Sequence, residues 1–414
     1  MMEVLKEGQV RIDMLVSACL TLFEGNISLF DLESTFKQLL RVGLLRVSRD
    51  LRRASVSEHS SEATTAIDVS EETVTELFRR AASVKEEASE RPTRRVRRSS
   101  STEDGSSVYF QVDYAKADQM LRDELLIKSL KNRFLDENVA VVAESLVRLS
   151  SKLPQPTCAT SSSVALESLV RDVSGKGVSE MEVKSCLDVL TEASDCGIRA
   201  VERLAGGGIF HLDILTTLTR ITEAMIAMVV EQKFGSRCAR VWRIVLSEKG
   251  LPQKLVEEKA LMPPKDCKEI MFTLVREGFV RTDYYSRTVD FAPAKTHFLF
   301  SVDLEQVVRR VIGHCCHAIA CAITRRNHEY DSNRLLIERK AHVDQQVSLL
   351  SLEEDAQQQI EDLLATFTSR DLELVGSAEN AFRKLQLAEL QVEEMLFVLQ
   401  SWLRLKLTSE AVKA

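Results

Sequence analysis

The chain has 414 residues, room for two to four domains of ordinary size, and 44% of them are apolar, enough to form packed cores. With 28% charged residues, 6% aromatics and only 15 Gly, the composition favours helices over sheet. A net charge of −7 argues against an autonomous nucleic-acid binder with a broad basic face, while leaving room for local basic patches. Nine Cys, an odd number with no CxxC pair, argue against a disulfide framework and fit a reducing compartment. The N-terminal MMEVLKEGQVRIDMLV lacks a basic segment followed by an unbroken apolar run, so secretion is not indicated. No stretch of eighteen residues is free of charge, so no membrane span is expected and the chain reads as soluble and intracellular.

In chain order, GNISLFDLESTFKQLLRVGLLRV (25–47) predicts a helix running into a strand, with little space for a second helix. Residues 52–107 are dominated by Ser, Glu and Arg and end RPTRRVRRSSSTEDGSS; they bury too little apolar area to offset chain entropy and read as mostly disordered. Within them, DVSEETVTELFRRAASVKEE (68–87) has the spacing of a short helix. The strand VYFQVD (108–113) then precedes the helix YAKADQMLRDELLIKSL, and GIFHLD (208–213) precedes ILTTLTRITEAMIAMVV after an AGGG (205–208) loop.

Residues 236–303 carry the fullest pattern. SRCARVWRIVLSEKG reads as a helix with Val241, Ile244 and Val245 at helical spacing and Gly250 past its end. PQKLVEEKA is a second short helix with Pro252 in its first turn, and Pro263 and Pro264 open a third, KDCKEIMFTLVREG. FVRTDYY, the Pro-containing SRTVDFAPAKT and HFLFSVD then form a hairpin leading into LEQVVRRVIG. Three short helices followed by a hairpin is the winged-helix order. Asp113, Asp213 and Asp303 each follow a strand and open a helix, so each is expected to be an N-cap, and their spacing suggests tandem modules.

From Glu329 to Leu405 there is no Pro and one Gly, Gly376. Ala378, Phe382, Leu385, Val392, Leu396, Leu399 and Leu403 follow four- and three-residue steps, with Glu389 interrupting the seam. Val343, Val347 and Leu350, then Ala356, Ile360, Leu363 and Phe367, form an earlier run with a register slip, and Thr368 with Asp371 offers a helix restart. Two helices packed as a hairpin are expected. The fold class is therefore mainly α with small β-hairpins: tandem winged-helix domains followed by a C-terminal helical hairpin or coiled coil. The expected division is a shortened winged helix over 1–113 with its wing insertion at 52–107, winged helices over 114–213 and 214–303, and the helix and hairpin over 304–414.

These residues resemble the winged-helix subunit of RNA polymerase III, distantly related to the large subunit of the general factor TFIIE. The most specific stretch is 229–280, with FGSRCAR (234–240) and MPPKDCKEIMFTLVREGFV (262–280) at its heart. APAKTHFLFSVDLEQVVRRVIGHCCHAIACAITRR (292–326) and LQLAELQVEEMLFVLQSWL (385–403) extend it, and TRRVRRSSSTED (93–104) matches a basic run in a family wing. Family members look like four winged helices before the coiled coil, whereas this chain has room for about three, so the first module is expected to be missing and the next shortened. The resemblance implies a non-catalytic nuclear subunit without cofactor or metal. Its implied partners are the other polymerase III subunits, including the clamp and the two other members of the polymerase-specific trimer, and the initiation factor. Promoter DNA would be touched weakly through its backbone, in initiation and promoter opening at transfer RNA and 5S ribosomal RNA genes.

Several local constellations suggest other chemistry. On one helix His314, His317 and Cys321 share a face while Cys315 and Cys316 point away, so ordinary packing is favoured over a zinc site. The glycines 206–208 lack the following Gly-Lys-Ser/Thr of a phosphate loop and read as a wing turn. Arg94, Arg95, Arg97 and Arg98 form a candidate nuclear localisation signal beside phosphorylatable Ser99 to Ser101. Lys265, Lys268 and Arg276 lie on the recognition-helix equivalent of 236–303, a module with 12 Lys and Arg against 9 Asp and Glu; they are candidate DNA or partner contacts, with protein contact favoured. No HExxH or clustered aspartates support catalysis. The rival readings are a tandem winged-helix DNA-binding regulator and a scaffold subunit of the proteasome-lid or translation-factor type.

Overall fold

The computed structural model describes residues 9–11, 14–15, 29–48, 74–75, 78–79, 109–134, 136–151, 158–193, 196–204, 207–286, 296–350 and 357–413. They fall into two compact units, Met1–Leu125 and Leu126–Ala414.

The first unit contains β1 (Gln9–Arg11), α1 (Leu29–Val42), β2 (Leu45–Ser48), β3 (Tyr109–Val112) and the first part of α2 (Tyr114–Arg133). The antiparallel sheet has the order β1-β3-β2, with Val10 and Val47 both paired to Phe110. Phe36 of α1 lies edge-on to Phe110, 4.9 Å between ring centroids, and to Phe78 at 5.5 Å. Val74 and Phe78, both in helical conformation, are both buried. The expectation of disorder over 52–107 is therefore corrected for these residues: the polar stretch supplies two core side chains. The rest of that expectation lies outside the described residues, apart from helical Thr75 and Arg79.

The second unit opens with α3 (Glu137–Ser150), β4 (Val164–Ala165), α4 (Leu166–Ser174), α5 (Glu180–Glu192), β5 (Ile198–Leu204) and β6 (Gly207–Leu212). Asp136 caps α3, and Ser179 with Glu182 forms a reciprocal capping box at α5. The sheet order is β4-β6-β5. Gly207 and Gly208 pair with Leu204 and Arg203, so they belong to the returning strand rather than to the loop expected there. After α6 (Ile214–Phe234) come α7 (Ser236–Ser247), β7 (Leu251–Pro252), α8 (Gln253–Ala260), α9 (Pro264–Arg276), β8 (Arg281–Ser286) and β9 (Thr296–Ser301). Their sheet repeats the order, β7-β9-β8. Helix, short strand, two helices and a hairpin is the winged-helix arrangement. The two-residue first strands β4 and β7 had no signature in the sequence; each is held only by its pairing to the last strand.

The three Asp residues stand where expected. Asp113 Oδ1 accepts from the Lys116 amide at 3.2 Å, Asp213 Oδ1 from Thr216 at 3.1 Å, and Asp303 Oδ1 from Glu305 at 3.1 Å. Gly197 (φ 71°) makes the approach to the second cap feasible, since a Cβ there would lie 2.5 Å from Thr217 Oγ1 and 2.6 Å from the Asp213 carbonyl oxygen.

The C-terminal part consists of α10 (Leu304–Leu350), α11 (Gln357–Leu364) and α12 (Ser369–Lys413). Thr368 and Asp371 exchange hydrogen bonds at the start of α12, as their spacing predicts. The ion pairs Glu305–Lys406, Arg326–Glu389 and Lys340–Glu379 link α10 to α12. As the first number rises the second falls by a similar step, which defines an antiparallel hairpin. One eighteen-residue window of α10 is long and apolar enough to cross a membrane by length and composition alone, although the charge-free run within the helix, 311–324, is shorter than that window. Part of that apolar character is used in packing, since Val307, Val308, Val311 and Cys315 are buried.

Candidate functional site

Module 236–303 holds the residues singled out for contact, and its core explains how they are presented. Trp242 is fully buried and donates from Nε1 to the Phe279 carbonyl at 3.3 Å, fastening α7 to the start of the hairpin. Phe279 also meets Phe234 edge-on, 5.7 Å between centroids. Gly278 takes φ 71° in the four-residue passage, 277–280, by which the chain leaves α9 and enters β8. Cys267, Met271 and Leu274 fill the buried face of α9, and burial pushes the Cys267 thiol above its ordinary range, so it stays protonated.

The opposite face of α9 is solvent-exposed. At ~100° per residue, Lys265, Lys268, Glu269, Phe272 and Arg276 fall within an arc of about 100°. All five are exposed, Phe272 to 66%. The structure thus gathers the three predicted contact residues on one surface and adds Glu269 and Phe272, which charge-based reading had passed over. An apolar residue on the outer face of an amphipathic helix was the available signal. Arg276 lies 3.4 Å from Glu277, whose carboxyl is held below its ordinary range chiefly by a hydrogen bond from Lys233. Among the described residues Lys265 and Lys268 have no ion-pair partner. Asp266 instead faces Arg237 of α7 at 3.6 Å. On the hairpin, Tyr284 is paired in register with Phe298, and both side chains are exposed.

A second surface is the attachment of the helical hairpin. Trp402 is buried and donates from Nε1 to Thr219 Oγ1 of α6 at 2.9 Å. Val398, Leu399 and Leu405 are buried around it, whereas Phe382, Leu385, Val392 and Leu396 of the expected seam are only half-buried. Glu394 reaches Lys128 of α2 at 3.2 Å.

His317 Nε2 lies 3.6 Å from Cys321 Sγ, both exposed; Cys315 is buried, and desolvation lowers the His314 pKa from its ordinary value. Among the described residues no group of three or more His, Cys, Asp or Glu is placed to hold a metal ion. Arg94, Arg95, Arg97 and Arg98 lie outside the described residues, as do Ser99 to Ser101.

Residues 226–302, from the second half of α6 through β9, match the model of the POLR3C C-terminal winged-helix domain. The chain is 26% identical over 306 residues to the mouse (Mus musculus) protein named DNA-directed RNA polymerase III subunit RPC3, covering 73% of this chain and 56% of that protein. The chain resembles RPC3. The human protein of that name is 25% identical over 299 residues (72% of this chain, 55% of that protein), and the zebrafish (Danio rerio) protein 26% over 328 (78% and 60%). The chain spans a little over half the length of these RPC3 relatives. The α9 face lies wholly inside the matched winged-helix domain.

Proposed function

We propose that the chain acts as a non-catalytic subunit of RNA polymerase III, a scaffold in the polymerase-specific trimer on the clamp. The observation that carries this reading is the POLR3C-type winged-helix domain at 226–302, joined through α6 to a hairpin that packs back on α6 at Trp402. Winged-helix modules offer docking surfaces, and the hairpin offers a second attachment. In this reading the modules are 1–113, 114–213 and 214–303, with 304–414 as the hairpin. Its partners are the other subunits of the polymerase, the two other trimer members and the initiation factor. Lys265, Lys268 and Arg276 contact a partner or the promoter DNA backbone, during initiation and promoter opening at transfer RNA and 5S ribosomal RNA genes. Arg94, Arg95, Arg97 and Arg98 serve nuclear import.

The test is affinity purification of the tagged full chain from nuclear extract, followed by mass spectrometry. Recovery of the large polymerase III subunits in stoichiometric amount is expected. Recovery of the chain alone, or with proteasome-lid or translation-factor components, overturns the reading.

A further inference from the structure

We infer that the outer face of α9 is a protein-docking surface for an acidic protein segment that carries an apolar side chain, with Phe272 as its apolar anchor, rather than a surface that reads nucleic acid. The inference rests on the reading above and deepens it, choosing between the two kinds of contact that reading leaves open.

Three observations carry it. Phe272 is 66% exposed near the middle of the face, within about 20° of Lys265 in projection. An aromatic side chain held in water forgoes the stabilisation it would gain by burial, so a partner pocket that covers it gains that free energy.

The charges around Phe272 are mixed rather than uniformly basic. Glu269 is exposed on the same face, where it would repel phosphate, and Arg276 already sits beside Glu277. Arg237, Arg243, Lys259 and Arg281 of the module have acidic partners in the chain, whereas Lys265 and Lys268, like Arg240, Lys249 and Lys254 elsewhere in the module, have none among the described residues. Two unmatched ammonium groups flanking an exposed ring complement carboxylates that rim an apolar residue.

Leu261, at the turn leading into α9, is the third observation. It adopts φ 53°, ψ 47°, a left-handed conformation that disfavours a side chain like leucine's, and its side chain is 88% exposed. It is the only non-glycine residue at positive φ among the described residues. Glycine or asparagine would relieve the backbone, so an exposed leucine there contributes nothing to this fold that they would not; it offers a second exposed apolar side chain on the approach to α9.

The experiment places the photo-crosslinking residue benzoylphenylalanine at position 272 of the full chain, which is then purified with the polymerase, irradiated and mapped by mass spectrometry. The position is exposed, so the substitution leaves the core around Trp242 undisturbed. The expected adduct is on a polymerase protein segment that carries an apolar residue with flanking Asp or Glu. Lys265→Glu with Lys268→Glu should reduce that adduct at least tenfold, and Lys in place of the segment's carboxylates should restore it. An adduct on nucleic acid overturns the inference. So does an adduct indifferent to the charge reversal, or no adduct while the chain still co-purifies with the polymerase. Failure to co-purify at all marks the loss of the underlying subunit reading, and of this inference with it.

Discussion

Arg326 of α10 and Glu389 of α12 form an ion pair of 2.5 Å at the one place where the apolar seam of α12 is broken by a carboxylate. The Glu389 side chain is 12% exposed and its Oε1 is buried without a hydrogen-bond partner. Such a pair carries a desolvation cost comparable to its attraction, so its contribution lies in fixing which residues face each other along the hairpin.

Replacing Arg326 with Ala strands the carboxylate. We expect a loss of about 1–3 kcal/mol in urea unfolding, below the ~3–5 kcal/mol of a fully buried pair because Arg326 is partly solvated. Replacing both residues with Leu should restore stability or raise it. If the single change costs as much as the double, the two residues are not coupled.

The helix caps form a graded set. Asp303→Ala and Asp113→Ala each remove an acceptor from a helix start and should cost about 0.5–1 kcal/mol. Asp213→Ala should cost more, about 1–2 kcal/mol, because Asp213 also accepts from Thr216 Oγ1 and pairs with Arg199 at 3.2 Å. Chemical denaturation of the three variants gives the ranking; equal losses would mean the additional contacts of Asp213 contribute nothing.

Phe78 tests the role of the insertion in the first unit. Phe78→Ala removes a ring packed on Phe36 and should destabilise that unit by about 3–5 kcal/mol. Hydrogen exchange of the β2 and β3 amides should then accelerate, and trypsin should cut faster at the Arg residues from 79 to 98. Unchanged exchange at β3 would show that the insertion does not close that core.

These cases mark how far the sequence was legible. The Asp caps, the α9 helix and the Thr368–Asp371 restart all rest on local rules of a few residues, and the structure places each as expected. What escaped depends on distant partners. Nothing near Glu389 points to Arg326, and two-residue strands such as β7 exist only through pairing with β9. The helical spacing of 68–87 was legible, but the core role of Val74 and Phe78 was not, because composition averaged over 52–107 conceals two buried apolar residues. Phe272 was passed over in the same way, since a charge search counts Lys and Arg and skips what stands between them.

Acid should loosen the hairpin at a defined place. Hydrogen bonds from Arg309 first, then Lys406, hold the Glu305 carboxyl below its ordinary value of 4.5. A carboxylate with a depressed folded pKa contributes stability that is present above the unfolded value and lost as pH falls through the folded value. The contribution should therefore be intact above about pH 4.5 and decline only below it. Glu305→Gln should abolish that part of the pH dependence while leaving other acid transitions in place. In parallel acid titrations followed by thermal unfolding, the wild type should differ from the variant above about pH 4.5 and converge on it below; a difference that stays constant into acid would refute this.

The hairpin's attachment is decided by residues 398–405 rather than by the whole seam. Leu399 is fully buried and Leu396 only half-buried, while Trp402 bonds to Thr219 across the contact with α6. Burying a leucine contributes roughly 1.5–3 kcal/mol, and a carboxylate there adds the cost of an unpaired buried charge. Leu399→Asp should therefore release α12 from α6 and expose 398–405 to hydrogen exchange. Leu396→Asp should act in the same direction but more weakly, because its carboxylate can reach water. Glu393→Lys, on the exposed side, should change stability by less than about 0.5 kcal/mol. If the hairpin also anchors the chain to the polymerase, co-purification should fall in the same order. Equal recovery of the Leu399→Asp and Glu393→Lys variants would separate packing from anchoring and remove the hairpin from the docking surface.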